Sequence, residues 1–148
     1  MASKVGALFL EDLAVGQSVE RTVTIREADI EAFAAVSGDT NPVHLDEAYA
    51  QTTPFKSRIA HGMLLGAYIS AVLGVELPGP GAIYQSQTLN FKRAVRIGDE
   101  VLIRVRVEAI DLKTGTATLS THCSVGRKSM LAGEATVLVP RRGEAEAA

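Results

Sequence analysis

The sequence predicts an α+β fold in which one apolar helix packs on an antiparallel β-sheet. Three observations carry that prediction. Met63–Leu77 is hydrophobic on nearly every side and holds Gly66, Ser70 and Gly74 before Pro78 ends it. It is too short to span a bilayer comfortably, so it reads as a buried helix. Val101, Ile103, Val105, Val107 and Ala109 alternate with Leu102, Arg104, Arg106 and Glu108, the period of a strand with one buried face. Ala117–Val125 and Met130–Val139 follow across turns at Asp111–Gly115 and Gly126–Lys128, which makes an antiparallel meander.

The remaining elements follow in order. Val19–Ile25 alternates and reads as a first strand. A helix opens at Arg26-Glu27-Ala28-Asp29 and runs to Val36, with Ile30, Phe33, Ala34 and Val36 near helical spacing. Its acidic first turn complements the helix dipole. Ser37–His44 is expected to be a bent, extended loop that cannot be helical. Pro42 lacks an N–H and biases Asn41 out of the α region, while Gly38 frees the backbone upstream. Asp46 caps a short helix through Ala50. Pro78-Gly79-Pro80-Gly81 is a stiff turn, and Ala82–Lys92 is a further strand before the Ile97-Gly98-Asp99 turn. A sheet covers only one side of an all-apolar helix. Other helices or a second copy of the chain must cover the rest, which favours a homo-oligomer.

A length of 148 residues suits a single domain, 1–148, with an ordered core over about 8–140 and loose ends at Met1–Gly6 and Pro140–Ala148. The net charge is -2, and no run of Lys or Arg exceeds two residues, so no nucleic-acid footprint is expected. Met1–Phe9 lacks the charged and apolar segments of a secretory leader, and Cys123 is alone. These point to a soluble, cytoplasmic protein without a membrane partner. Cys123 reads as a buried filler and His122 as an exposed residue on the polar face of its strand. There is no His-Glu-x-x-His and no paired Cys, and the three His residues are scattered along the chain. No metal site or other cofactor is expected. Gly-x-Ser-x-Gly is absent, and Pro78–Gly81 lacks the ending of a phosphate-binding loop.

The chemistry concentrates in Ser37-Gly38-Asp39-Thr40-Asn41-Pro42-Val43-His44. It sets a carboxylate and an imidazole five residues apart on a segment able to aim both at one water, the parts of general acid–base catalysis near neutral pH. Asn41 is assigned to shaping the loop. His61-Gly62-Met63 opens the apolar helix, where N–H groups lack partners and the dipole favours negative charge. His61 itself is expected to be a helix-start residue with a satisfied imidazole.

Phe33–His44 with Leu45-Asp46 and Ala48, then Arg58-Ile-Ala-His-Gly-Met-Leu-Leu65, Leu77–Tyr84, Leu89-Asn-Phe-Lys92 and Val95–Glu100, resembles MaoC-like, (R)-specific enoyl-CoA hydratases. The likeness covers roughly Val15–Pro140 and is strongest to the short, single-domain members that feed polyester synthesis. It implies a hot-dog fold, a long central helix wrapped by an antiparallel sheet, and pairing in which two sheets run on into one. It implies hydration of trans-2-enoyl-CoA to (3R)-3-hydroxyacyl-CoA by syn addition, with no cofactor. Asp39 and His44 would activate the water, and the Gly62 N–H would receive the thioester oxyanion. Ser70 matches a serine at the family's site and would either support the dyad or the water, or bond to its own helix backbone.

Met63, Leu65, Tyr68, Val72, Leu73 and Tyr84 are candidates to line the acyl pocket, with Pro78–Gly81 at its border. Lys56, Arg58, Lys92 and Arg93 are candidates to meet CoA phosphates. A dehydratase acting on (3R)-hydroxyacyl groups of acyl carrier protein is the alternative. A non-catalytic acyl-CoA-binding subunit and a thioesterase follow behind it.

Overall fold

A computed structural model describes residues 8–143. A 3-10 turn at Leu10–Asp12 precedes strand β1 (Ser18–Thr24) and helix α1 (Glu27–Ser37). Short helices α2 (Pro42–Leu45) and α3 (Glu47–Gln51) lead to the long helix α4 (Gly62–Val75). Strands β2 (Ile83–Gln87), β3 (Asn90–Phe91), β4 (Glu100–Asp111), β5 (Thr116–Val125) and β6 (Lys128–Leu138) complete the chain. All pairings are antiparallel, in the order β1-β4-β5-β6-β2, with β3 also on β6.

One face of this sheet buries α4. Val101, Ile103, Val105 and Val107 of β4, Leu119 and Cys123 of β5, and Leu131 and Val137 of β6 close over Leu65, Ile69, Val72 and Leu73. Side chains of this size contribute about 1.5–3 kcal/mol each when fully buried. Cys123 is fully buried and its thiol is pushed up to about 12 by burial, as a filler rather than a nucleophile.

The coverage of α4 is incomplete. Met63, Ala67, Ser70 and Gly74 recur at intervals of four, three and four residues and are all exposed, so a narrow stripe of the helix faces outward. The expectation of an all-round covered helix therefore does not hold for one chain by itself.

Two strands depart from the simple pattern. The register between β4 and β5 shifts between Val107 and Ala109, so Ala109 is exposed and Ile110 turns partly inward. An extra residue in one strand inverts the alternation beyond it. The expected strand over Ala82–Lys92 is broken in two. Thr88 N–H donates to Glu134 O at 2.9 Å while Glu134 N–H donates to Thr88 Oγ1 at 2.9 Å. The chain is held beside β6 there but out of register.

Asp46 caps α3 as expected, accepting from Tyr49 N–H at 3.1 Å. The expected loose ends lie largely outside the described residues. The stretch Pro140–Gly143 does not belong with them. Leu10 N–H donates to Pro140 O at 2.9 Å, Arg142 N–H to Glu11 Oε2 at 2.9 Å, and the Arg142 guanidinium pairs with Asp12. Among the described residues, no helix is long and apolar enough to cross a membrane.

Candidate active site

Helix α1 ends on Gly38 in the left-handed region, φ 80°, with its N–H bonded to Ala34 O. That reversal throws Asp39 outward, and glycine takes the conformation without a Cβ penalty. Asp39 N–H donates to Ser37 Oγ at 3.1 Å, and Asn41 N–H donates to Asp39 Oδ1 at 3.2 Å. Asn41 then caps α2, accepting from Val43 N–H at 3.2 Å with Pro42 in the first turn.

The stretch expected to be wholly extended therefore ends in one helical turn that carries His44. Proline forbids helix at the residue before it and inside a helix, but the first position needs no N–H donor. Asn41, at φ -51° and ψ 124°, satisfies the restriction while Pro42 starts the turn. The shaping role expected of Asn41 takes the form of an N-cap.

His44 is buried, and its Nδ1 lies 2.8 Å from Ile59 O. A carbonyl only accepts, so Nδ1 carries the proton and a neutral ring keeps Nε2 as its acceptor. Burial pushes the His44 pKa below its ordinary value. The Ile59 carbonyl opposes this, His61 adds to the lowering, and the Asp39 charge opposes it.

His61 is buried as well, and its Nε2 lies 2.9 Å from Asp39 O. By the same reasoning Nε2 carries the proton. Nδ1 is then a buried acceptor with no hydrogen-bond partner among the described residues, so there the imidazole expected to be satisfied is satisfied at one nitrogen only. The two His rings stack with centroids 3.9 Å apart and planes at 29°.

One polar side-chain atom from each of Asp39, His44 and His61 falls within 4.8 Å of the others. Two of the three histidines scattered in sequence are thus neighbours in space. The stack is a poor cation site. Ring lone pairs lie in the ring plane, and rings stacked with centroids 3.9 Å apart and planes at 29° aim poorly at one ion about 2.0–2.1 Å from each nitrogen. A separation within 4.8 Å between polar atoms of Asp39 and His44 is one that a single water about 2.8 Å from each would bridge.

Gly62 follows His61 at the start of α4. Neither the Gly62 nor the Met63 N–H donates to a backbone group among the described residues, which leaves both amides free at the positive end of the helix. A cleft of about 470 Å³ joins these groups. It is lined by Asp39, His44, His61, Gly62, Met63 and Leu65 together with Phe55, Ile59, Ala60 and Phe91–Val95.

Several residues expected at the site lie elsewhere. Val72 and Leu73 are in the core, and Tyr68 packs at its edge. Tyr84 bonds to Gln87 on β2, away from the cleft. Ser70 sits on the exposed stripe of α4 and is not among the residues that line the cleft. Pro78–Gly81 does not border this cleft; Gly81 lines a separate hollow with Ile83 and Leu138. Of the basic residues, Lys92 and Arg93 line the cleft. Arg58 is held inside, with Nη1 2.6 Å from Glu27 Oε1 and Nε donating to His44 O at 2.7 Å. Lys56 is exposed outside the lining. His122 is half-buried rather than exposed, its Nε2 2.8 Å from Ser129 Oγ. Phe55, Ile59, Ala60, Phe91, Ala94 and Val95 went unassigned by sequence reasoning because they lie in loops or a two-residue strand, where no periodicity reports a facing direction.

A family model described as a MaoC-like domain matches residues 11–126. The chain belongs to the MaoC-like family. It is 54% identical over 135 residues to an (R)-specific enoyl-CoA hydratase of Rhodospirillum rubrum, covering 91% of this chain and 94% of that one. It is 47% identical over 146 residues to a 3-hydroxybutyryl-CoA dehydratase of Methylorubrum extorquens, covering 99% and 93%. Among solved structures, the (R)-hydratase of Aeromonas caviae involved in PHA biosynthesis superimposes with a TM-score of 0.85 at 44% identity, covering 88% of this chain and 99% of that one. The sheet wrapped on α4 is the hot-dog fold of these MaoC-like relatives.

Proposed function

We propose that this protein is a hydro-lyase that adds water to trans-2-enoyl-CoA, giving (3R)-3-hydroxyacyl-CoA, and runs the dehydration in reverse. The observation that carries the reading is the approach of Asp39 and His44 polar atoms to within 4.8 Å, in the same cleft as the free Gly62 amide. Hydration needs a base for the water that attacks C3, a proton for C2, and a donor for the charge gathering on the thioester oxygen. Asp39 is the main base in this proposal. His44, neutral and with Nε2 as its acceptor, orients the water and relays the proton. The Gly62 N–H stabilises the oxyanion, a role in which one donor is typically worth about 2.7–4 kcal/mol of barrier.

The whole chain forms a single domain, acting in the cytoplasm. Lys92 and Arg93, at the cleft, meet the phosphates of CoA. Met63 and Leu65 contact the acyl chain. Two copies pair through the exposed stripe of α4 and the outer edge of β2, where Ile83 is 58% exposed. Size-exclusion chromatography with light scattering tests this pairing, and Ala67→Arg should yield monomers.

The activity is tested by mixing the purified protein with crotonyl-CoA and following loss of the conjugated-thioester absorbance. An (R)-specific dehydrogenase then reads the product. Hydration to the (R) product is expected. An (S) product, release of free CoA, or no turnover would each sink the assignment. Turnover only on acyl-carrier-protein thioesters would move it to the dehydratase alternative.

A further inference from the structure

We infer that His61 is a positioning residue for this reaction, its Nε2–H bond to the Asp39 carbonyl fixing the acid's loop against the amide end of α4. The inference rests on the Asp39/His44 reading above. It starts from an imbalance. His61 is only 2% exposed, yet among the described residues its Nδ1 has no hydrogen-bond partner. A buried acceptor left unpaired costs about 1–3 kcal/mol, a cost an apolar residue of similar size would avoid. Packing by itself therefore does not account for an imidazole at this position; its one used N–H does.

That N–H has particular reach. Asp39 is exposed, and its own hydrogen bonds run to Ser37 and Asn41, both two residues away. Among the described residues, the bond from His61 Nε2 to Asp39 O, at 2.9 Å, is the one that ties residues 38–41 to a distant element. The same ring meets the edge of Phe33 on α1 at 4.9 Å and stacks on His44 of α2. It also occupies the cap position of α4, directly before Gly62. One side chain thus sets the acid, the imidazole and the oxyanion donor relative to one another. A misplacement of about 1 Å in such a constellation can cost about 100-fold in rate.

The test compares His61→Gln with His61→Met. The two side chains are close in length and bulk, and both abolish the ring stack, but only glutamine keeps an N–H near the Nε2 position. Read kcat and KM for crotonyl-CoA, and the melting temperature, beside Asp39→Asn as a control. H61M should lower kcat by about 10- to 100-fold with KM little changed, and H61Q should recover most of that loss at the same melting temperature. Equal kcat in H61Q and H61M, or losses that follow the melting temperature alone, would overturn the inference. If Asp39→Asn keeps full turnover, the dyad reading itself fails and this inference falls with it, a result distinguishable from the first. Nitrogen NMR of the wild-type protein supplies a check that needs no variant. His61 should carry its proton on Nε2, and a proton on Nδ1 would refute the bond.

Discussion

Gly62 and Phe91 lie so close that a Cβ added to the glycine would stand 2.7 Å from the ring. Phe91 comes from β3, after the break in the predicted strand, and lines the cleft beside the unpaired amide. Glycine at 62 therefore does two things. It leaves the amide open to a thioester oxygen, and it lets an aromatic wall approach the start of α4. Phe91 is half exposed, so its ring can swing aside where a backbone atom could not. Gly62→Ala should accordingly keep the fold and lose catalysis, about 10-fold or more in kcat/KM, through displaced geometry. Adding Phe91→Ala should return part of that loss, a positive coupling measured by a double-mutant cycle on kcat/KM. Strict additivity would mean that the ring and the new methyl do not compete for the same space.

The dyad itself is tested by Asp39→Asn and His44→Ala. Asparagine keeps an oxygen for the Asn41 N–H that Asp39 Oδ1 now accepts, so the loop should hold while the base is lost. His44→Ala removes the Nδ1–H bond to Ile59 and empties a buried site, which should lower stability by about 1–3 kcal/mol. Each variant should lose at least about 100-fold in kcat, the scale of general acid–base catalysis. Circular dichroism and kcat for crotonyl-CoA are the measurements. A near-normal rate in either variant would reject the role given to that residue.

His44 also sets a pH dependence. Burial, the largest cause, holds its folded pKa below the ordinary value, with the Ile59 carbonyl as the main opposing influence. The unfolded chain, with histidine near about 6.5, therefore binds the proton first as pH falls. Stability rises with pH wherever the unfolded state binds more protons. The contribution of His44 is thus fully present above about 6.5 and is lost as pH falls from there through the folded value. Urea titrations in that window should show the wild type losing stability on acidification more steeply than His44→Ala. A proton on His44 also removes its Nε2 acceptor, so kcat/KM should fall on the acid side with an apparent pKa below the ordinary histidine value. An acid limb above it would contradict the buried, neutral ring.

Much of this was legible in the sequence because one face of each long element is buried. The alternation of Val101 through Val107 and of Ala117 through Cys123 marks the inner face of the sheet, and the all-apolar run marks α4. Asp39, His44 and Gly62, which line one cleft, stood out for a different reason: a loop that pairs a carboxylate with an imidazole, a helix start with open amides, and a family likeness that spans all three. What escaped depends on contacts between distant segments. Ile59 and Asp39 offer His44 and His61 main-chain carbonyls, and a carbonyl has no signature in the sequence. Arg58 looks like a surface cation until Glu27, 31 residues away, arrives beside it. Ser70 follows the family's spacing, yet the helix turns it to the stripe that the sheet leaves open.

The break between β2 and β3 offers a last prediction, because a single glycine makes room for it. A Cβ on Gly133 of β6 would lie 1.8 Å from Thr88 O and 2.8 Å from Thr88 C. Those are backbone atoms, so no side-chain rotation relieves the clash. Thr88 is held in place by its paired bonds to Glu134, and beyond it the chain delivers Phe91, Lys92 and Arg93 to the cleft. Gly133→Ala should therefore force the strands apart, costing about 1–3 kcal/mol or more by overpacking. It should also depress kcat/KM, because the wall facing Gly62 moves with the break. Thermal melts and kcat/KM of Gly133→Ala beside the wild type check both effects. A Gly133→Ala protein as stable and as active as the wild type would mean that Thr88 does not lie against β6 as described.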